Sequence, residues 1–196
     1  MDNRDYFNTM AERWDSMVSH DEKKIRDILK LIDIKKGSRV LDVGTGTGVM
    51  IPYLLEDIGN SGSILAVDKA EEMIIRARKK FSLENVSFIA EDIFTMPLEK
   101  NYFDCIMCYS VLPHFEEKES AVSYLAKLLR HGGSLAVCHS QSRDAINRFH
   151  RCGSEAINDA VLPTAEEMKY YFKQVGLTTT ISVDNEEMFV IVGKKE

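Results

Sequence analysis

The chain has 196 residues, 44% hydrophobic and 29% charged, enough for one well-buried core but too few for two comfortable domains. A formal net charge of −6 argues against nonspecific nucleic-acid binding, which depends on clustered lysine and arginine. No apolar run approaches the roughly 18 residues of a membrane span, and the opening "MDNRDYFNTMAERWD" is acidic and amphipathic rather than signal-like, so a soluble cytoplasmic protein is expected.

Two amphipathic helices are predicted first, over 5–18 and 21–32, so that 1–36 forms an N-terminal cover. Val40, Leu41 and Val43 then make a short apolar strand that runs into a turn carrying Gly44, Gly46 and Gly48. "VMIPYLLED" follows as a helix, with Pro52 expected to remove one hydrogen bond and bend it near its start. Further along come a strand at 63–68, a helix at 70–81, and strands at 86–92 and 102–110. A helix over 116–133 is predicted to stop at Gly132-Gly133, before a fifth strand at 134–140. Thr164 and Glu167 have the spacing of a capping box opening "AEEMKYYFKQV", which ends at Gly176. "LTTTISVDN" and "EMFVIVGKK" close the chain as a pair of strands. Strands alternating with helices predict the α/β class as one domain over 1–196. The expected sheet is doubly wound, mainly parallel, seven-stranded and Rossmann-like, with an antiparallel terminal strand.

The cysteines do not read as disulfides or as a metal site. Cys105 and Cys108 have C-x-x-C spacing but lie in a strand, where residues three apart point to opposite faces. Cys138 sits in another strand, and only Cys152 lies in a polar segment.

A strand, a glycine turn and a helix N-terminus together favour an anionic or nucleotide ligand. A P-loop would need a Gly-Lys-Ser/Thr ending, which is absent. The dinucleotide pattern wants a third glycine where Val49 stands. Asp42-x-Gly44-x-Gly46-x-Gly48 instead closely resembles the first motif of class I S-adenosylmethionine-dependent methyltransferases. In that family the turn approaches the methionine end of S-adenosylmethionine, which is the cofactor the resemblance implies.

Ligands of doubly wound sheets sit beyond the carboxyl ends of the strands. Asp68, with Lys69 beside it, ends the second strand 20 residues beyond Gly48, where an acid can accept from both ribose hydroxyls. Asp68 also suits the N-cap of the next helix, and the two roles can coexist. "AEDIFTMPL" resembles the segment whose acid meets the adenine amino group, which makes Asp92 the candidate with the Ile93 backbone beside it; the alternative is a solvated loop. "CYSVLPHFEEKESAVSYLAKLLRHGGSL" resembles the family's fourth strand and the helix after it. That places Tyr109 and Ser110 at the cofactor, and His114 near the cofactor or the acceptor, as general base or as structural hydrogen-bonder. His139 ends the fifth strand and is a second catalytic candidate.

The segment 141–163 is read as a possible substrate lid. Arg143, Arg148, His150 and Arg151 form a basic cluster there, and Arg143 or Arg148 would engage an acidic acceptor with Gly153 as hinge. A solvated helix face is the competing reading. Phe7, Met10 or Ala11, and Trp14 have helical spacing that ordinarily means packing. Similar helices cover the active site in small-molecule methyltransferases, where Tyr6 or Trp14 could face the sulfonium by cation–π attraction.

The resemblance implies methyl transfer to a small-molecule acceptor, quinone-type ring methylation included. No "N-P-P-Y"-like stretch follows the fourth strand, so base or amide N-methylation by that route is unsupported, and arsenite methylation lacks surface thiols. A non-catalytic cofactor-binding module acting through a partner, and a nicotinamide oxidoreductase, are the competing classes.

Overall fold

The computed structural model describes residues 2–196, which form a seven-stranded sheet with helices on both faces. The strands are β1 (Arg39–Val43), β2 (Ser63–Asp68), β3 (Val86–Ala90), β4 (Phe103–Tyr109), β5 (Leu129–His139), β6 (Leu177–Asp184) and β7 (Phe189–Lys195). Their spatial order is β3-β2-β1-β4-β5-β7-β6. Pairings among β1 to β5 are parallel, whereas β7 runs antiparallel to both β5 and β6. The antiparallel β7 inserted before β6 separates this sheet from the 3-2-1-4-5-6 order of dinucleotide folds.

Alternation along the strands sends side chains into two cores. Leu41, Ile106, Cys108 and Ile191 pack toward α6 (Lys118–Leu128) and α8 (Ala165–Gln174). Val40, Cys105, Met107 and Val192 pack toward α3 (Glu22–Ile32) and α4 (Ile51–Ile58), with α5 (Glu71–Lys80) joining that side. Cys105 and Cys108 are therefore buried on opposite faces, and burial pushes the Cys105 thiol up to about 12. Among the described residues no group of His, Cys, Asp and Glu is arranged to hold a metal ion. None of the described helices is long and apolar enough to cross a membrane.

Local chemistry sets the helix ends. The Asp21 carboxylate accepts from Lys24 N at 3.1 Å to start α3, which buries Ile25, Ile28, Leu29 and Ile32 along one stripe. The Thr164–Glu167 capping box opens α8.

Three expected boundaries shift, each for a physical reason. The 116–133 helix ends at Leu128, and Gly132-Gly133 lies within β5. A Cβ on Gly133 would meet the Arg130 and Phe103 carbonyl oxygens at 3.0 Å, and the β4–β5 register shifts there, so the pair forms a bulge rather than a cap. Pro52 removes no hydrogen bond, because it occupies the first turn of α4, where its missing N–H has no partner to lose. The predicted 5–18 helix breaks into α1 (Asn3–Met10), a 3₁₀ turn (Ala11–Arg13) and α2 (Trp14–Met17). In a 3₁₀ turn residues three apart eclipse, which lets Ala11 and Trp14 both pack on Ala70 and Met73 at the start of α5.

Candidate active site

A cavity of about 730 Å³ opens at the carboxyl ends of β1 to β5. The N-terminal segment covers one side, and α7 (Arg143–Arg151) with Ile157 closes another. Its floor is the turn after β1. Gly44 has φ +67°, and a Cβ there would lie 2.2 Å from Val111 Cγ2, so only glycine fits. Gly46 also has positive φ, at +56°, but nothing stands within 4 Å of its would-be Cβ. That open space over exposed backbone is where a ligand can approach the turn closely.

Two acids hold the turn from below. Asp42 is 1% exposed and accepts from Thr45 Oγ1 at 2.7 Å. Burial, with only that one hydrogen bond and the Asp68 charge nearby, pushes its carboxyl up to about 7. Asp68 accepts from Gly46 N at 2.9 Å and from Ala70 N at 2.8 Å, pinning the turn to the start of α5. Burial raises its carboxyl above the ordinary range, while these two backbone bonds pull it back. Asp68 is not the N-cap expected of it: α5 is capped at Ala70 without a side-chain bond, and Asp68, two residues earlier, ties the Ala70 N–H to the glycine turn while bordering the cavity with Lys69 beside it. Asp92 borders the cavity too, exposed, accepting from Phe94 N at 2.9 Å in a turn that ends β3 two residues earlier than expected; Ile93 is buried next to it.

At the end of β4, Tyr109 Oη lies 2.8 Å from Ser140 Oγ and 3.0 Å from His20 Nδ1. This chain ties the N-terminal segment to the ends of β4 and β5. Burial raises the Tyr109 hydroxyl, so it stays protonated and serves as a hydrogen-bonding group. Ser110 takes φ +56°, which ends β4 and turns the chain along the cavity.

His114 Nδ1 lies 3.3 Å from the Asn3 amide, with Phe7 edge-on at 5.1 Å and His150 at 4.9 Å. His139, at the end of β5, is 1% exposed. Burial pushes both imidazoles down to about 3, helped in each by His150, so both are neutral at physiological pH. Tyr6 and Trp14 border the cavity and stack edge-on against Phe7 at 5.3 and 5.4 Å.

The lid arginines are placed otherwise than expected. Neither Arg143 nor Arg148 lines the cavity. Arg143 turns outward, with Nε 3.6 Å from Asp184 and a guanidinium nitrogen 3.2 Å from Asp144. The apolar stripe of α7 decides this for Arg148: Ile146 and His150, four residues apart, face inward and leave Arg148 on the other side, whereas Arg143, on their own face one turn earlier, is drawn to Asp184 at the end of β6. His150 is therefore no part of a basic cluster, being 6% exposed and bonded through Nδ1 to the Ala160 carbonyl at 2.6 Å. Gly153 has no positive φ, and a Cβ there would meet the His150 and Phe149 carbonyl oxygens at 3.2 Å.

Sequence reasoning missed several site residues. His20 and Ser140 enter through Tyr109, and Asp15 accepts from Thr47 on the glycine turn at 2.5 Å while also pairing with Lys80. These contacts link positions 31 to 89 residues apart, and no local pattern announces them.

A family model described as "Methyltransferase domain" matches residues 34–184. The chain is 30% identical over 187 residues to the ubiquinone/menaquinone biosynthesis C-methyltransferase UbiE of Yersinia pestis, covering 86% of this chain and 73% of that one. It is 26% identical over 149 residues to the demethylmenaquinone methyltransferase of Staphylococcus epidermidis, spanning only 61% of that protein's length. Among solved structures, a SAM-dependent methyltransferase from Aquifex aeolicus superposes with a TM-score of 0.73 at 22% identity, over 95% of this chain and 97% of that one. The methyltransferase solved with the Haloferax volcanii Trm112 activator gives 0.80 at 17% identity, over 96% of each chain. At those identities the structural likeness speaks for the fold, and the family match over 34–184 speaks for the family. On both counts the chain belongs to the methyltransferase-domain family, as a class I, S-adenosylmethionine-dependent member.

Proposed function

We propose that the protein transfers the methyl group of S-adenosylmethionine to a small-molecule acceptor in the cavity, and that the acceptor is a ring of the quinone type. The observation carrying the cofactor half is the open space over Gly46 in a cavity that Asp68 and Asp92 also line. In this reading Asp42, Gly44, Gly46 and Gly48 shape the seat for the methionine end, Asp68 and Lys69 meet the ribose, and Asp92 and Ile93 meet the adenine. When bound, the cofactor supplies an activated methyl on a good leaving group. The chain then has chiefly to align the acceptor and exclude water.

The N-terminal segment serves exclusion. Asp15 on Thr47 and His20 on Tyr109 anchor it at both sides of the cavity, with Tyr6 and Trp14 over the site. The acceptor class rests on the quinone-methylating relatives and on a lining rich in aromatic side chains without inward arginines. A cytoplasmic location accords with four free cysteines, and the acidic composition accords with a small-molecule acceptor rather than nucleic acid. The test is transfer of labelled methyl from S-adenosylmethionine to hydroxylated aromatic acceptors such as 1,4-naphthalenediol. Label should appear on the ring together with an equal amount of S-adenosylhomocysteine. Bound cofactor that never gives up its methyl across the panel would favour a non-catalytic module.

A further inference from the structure

His139 is the most unusual polar group in the molecule. It is 1% exposed, borders the cavity, and both of its ring nitrogens are buried without a hydrogen-bond partner. Buried polar groups are normally paired, because an unmade hydrogen bond keeps the full cost of desolvation. The Asn3 side-chain oxygen, also on the cavity wall, is orphaned in the same way. A ligand is the natural completion for both.

The neighbouring groups define its chemistry. The Ala160 carbonyl can only accept, so His150 Nδ1 carries its hydrogen and Nε2 is left as an acceptor. His114 Nδ1 faces the Asn3 amide, which leaves Nε2 as a donor when the amide nitrogen is the group turned toward it. Ile146 and Ile157 complete this part of the wall. No arginine of α7 reaches it, and the imidazoles are held neutral by burial. Lys69, on the cavity wall, and Lys118 lie toward His114, and neither bears on His139, so a carboxylate at His139 would meet only neutral imidazoles, at a desolvation cost. A hydroxyl, which both donates and accepts, matches the unmade bonds.

We propose that His139, flanked by His114 and His150, forms the acceptor subsite of the methyl transfer inferred above, that it takes an uncharged apolar ring bearing a hydroxyl, and that His139 receives the hydroxyl proton as the methyl arrives. The step balances. The acceptor O–H bond breaks and its proton takes the lone pair of a His139 ring nitrogen. The freed pair, through oxygen or the conjugated ring carbon, forms the new bond to the methyl, and the C–S pair remains on sulfur. A methylated ring carbon then loses its own hydrogen as a proton to water. The step moves one positive charge from the sulfonium to the imidazolium and leaves the total unchanged.

The test uses the S-adenosylhomocysteine complex, titrated with 2-naphthol and with 2-naphthoate, which share a ring and differ in hydroxyl against carboxylate. Naphthol should bind, and naphthoate at least about tenfold more weakly, as expected when a buried charge lacks a partner. His139→Phe should weaken naphthol about tenfold, the loss of a hydrogen bond, with S-adenosylhomocysteine affinity and Tm unchanged. His139→Gln keeps a donor and an acceptor but cannot take the proton. It should retain naphthol binding while turnover falls, and it decides the matter if the Phe variant does not fold. Naphthoate binding as tightly as naphthol, or a folded His139→Phe that binds naphthol normally, overturns the proposal. Failure of S-adenosylhomocysteine to bind at all is a different result, and refutes the methyl-transfer reading itself.

Discussion

Replacing Asp42 with Asn should change the pH dependence of stability in a specific direction. The carboxyl is 1% exposed, accepts one hydrogen bond from Thr45, and is pushed up to about 7. A folded pKa above the unfolded 3.8 means that the native state holds the proton more tightly. The stabilisation is complete below pH 3.8 and is lost as the pH rises toward 7. At 1.36 kcal/mol per pH unit, carrying the charge above pH 7 costs the fold about 4 kcal/mol. Asn keeps an oxygen for Thr45 and has no charge to desolvate. Apo wild type and Asp42→Asn should therefore have similar stabilities near pH 4, and the variant should gain on wild type by up to about 4 kcal/mol at pH 8. Urea unfolding from pH 4 to 8 measures this. The wild-type curve alone is not diagnostic, because His114 and His139, whose pKa values burial lowers, lose stability toward acid. Those contributions cancel in the difference between the two proteins. A difference that stays constant across the range would refute the argument that Asp42 is an unpaired buried acid.

Asp68→Ala removes the acceptor for Gly46 N and Ala70 N, and should weaken S-adenosylhomocysteine by about 1.5–3 kcal/mol in calorimetry. Normal binding with about 1 kcal/mol less stability would reduce Asp68 to a structural tie between the glycine turn and Ala70. Gly44→Ala drives a Cβ to within 2.2 Å of Val111 at positive φ, and should cost about 2–5 kcal/mol in urea unfolding. Gly46→Ala meets no atom, so its stability cost should be only the backbone term of about 1–2 kcal/mol, while cofactor affinity falls far more. Arg143→Ala with Arg148→Ala should leave acceptor KM unchanged, since neither side chain reaches the cavity; a raised KM would restore the arginines to the site.

The parts legible in the sequence are those written in local patterns. Strand alternation, the glycine spacing of Gly44, Gly46 and Gly48, and the Thr164–Glu167 box all concern residues within a few positions of one another. Gly132-Gly133 misled because a glycine pair suits a bulge as well as a cap, and the β4 carbonyls crowding Gly133 come from far along the chain. In α7 the arginines drew attention as charges, yet Ile146 and His150 carried the directional signal for Arg148, since residues four apart share a face and the isoleucine fixes which face is buried; Arg143 is placed by Asp184, 41 residues away, which no local pattern announces. The anchors of the N-terminal segment, Asp15 on Thr47 and His20 on Tyr109, depend on how that segment folds across the sheet, and no local pattern encodes them.

The central claim is that the turn after β1 seats S-adenosylmethionine. Its most direct test is a calorimetric titration of the wild-type protein with S-adenosylhomocysteine and, separately, with NADH. Saturable one-to-one binding of S-adenosylhomocysteine in about the micromolar range, with no heat from NADH, is the predicted result. Tight NADH binding with no response to S-adenosylhomocysteine would contradict it.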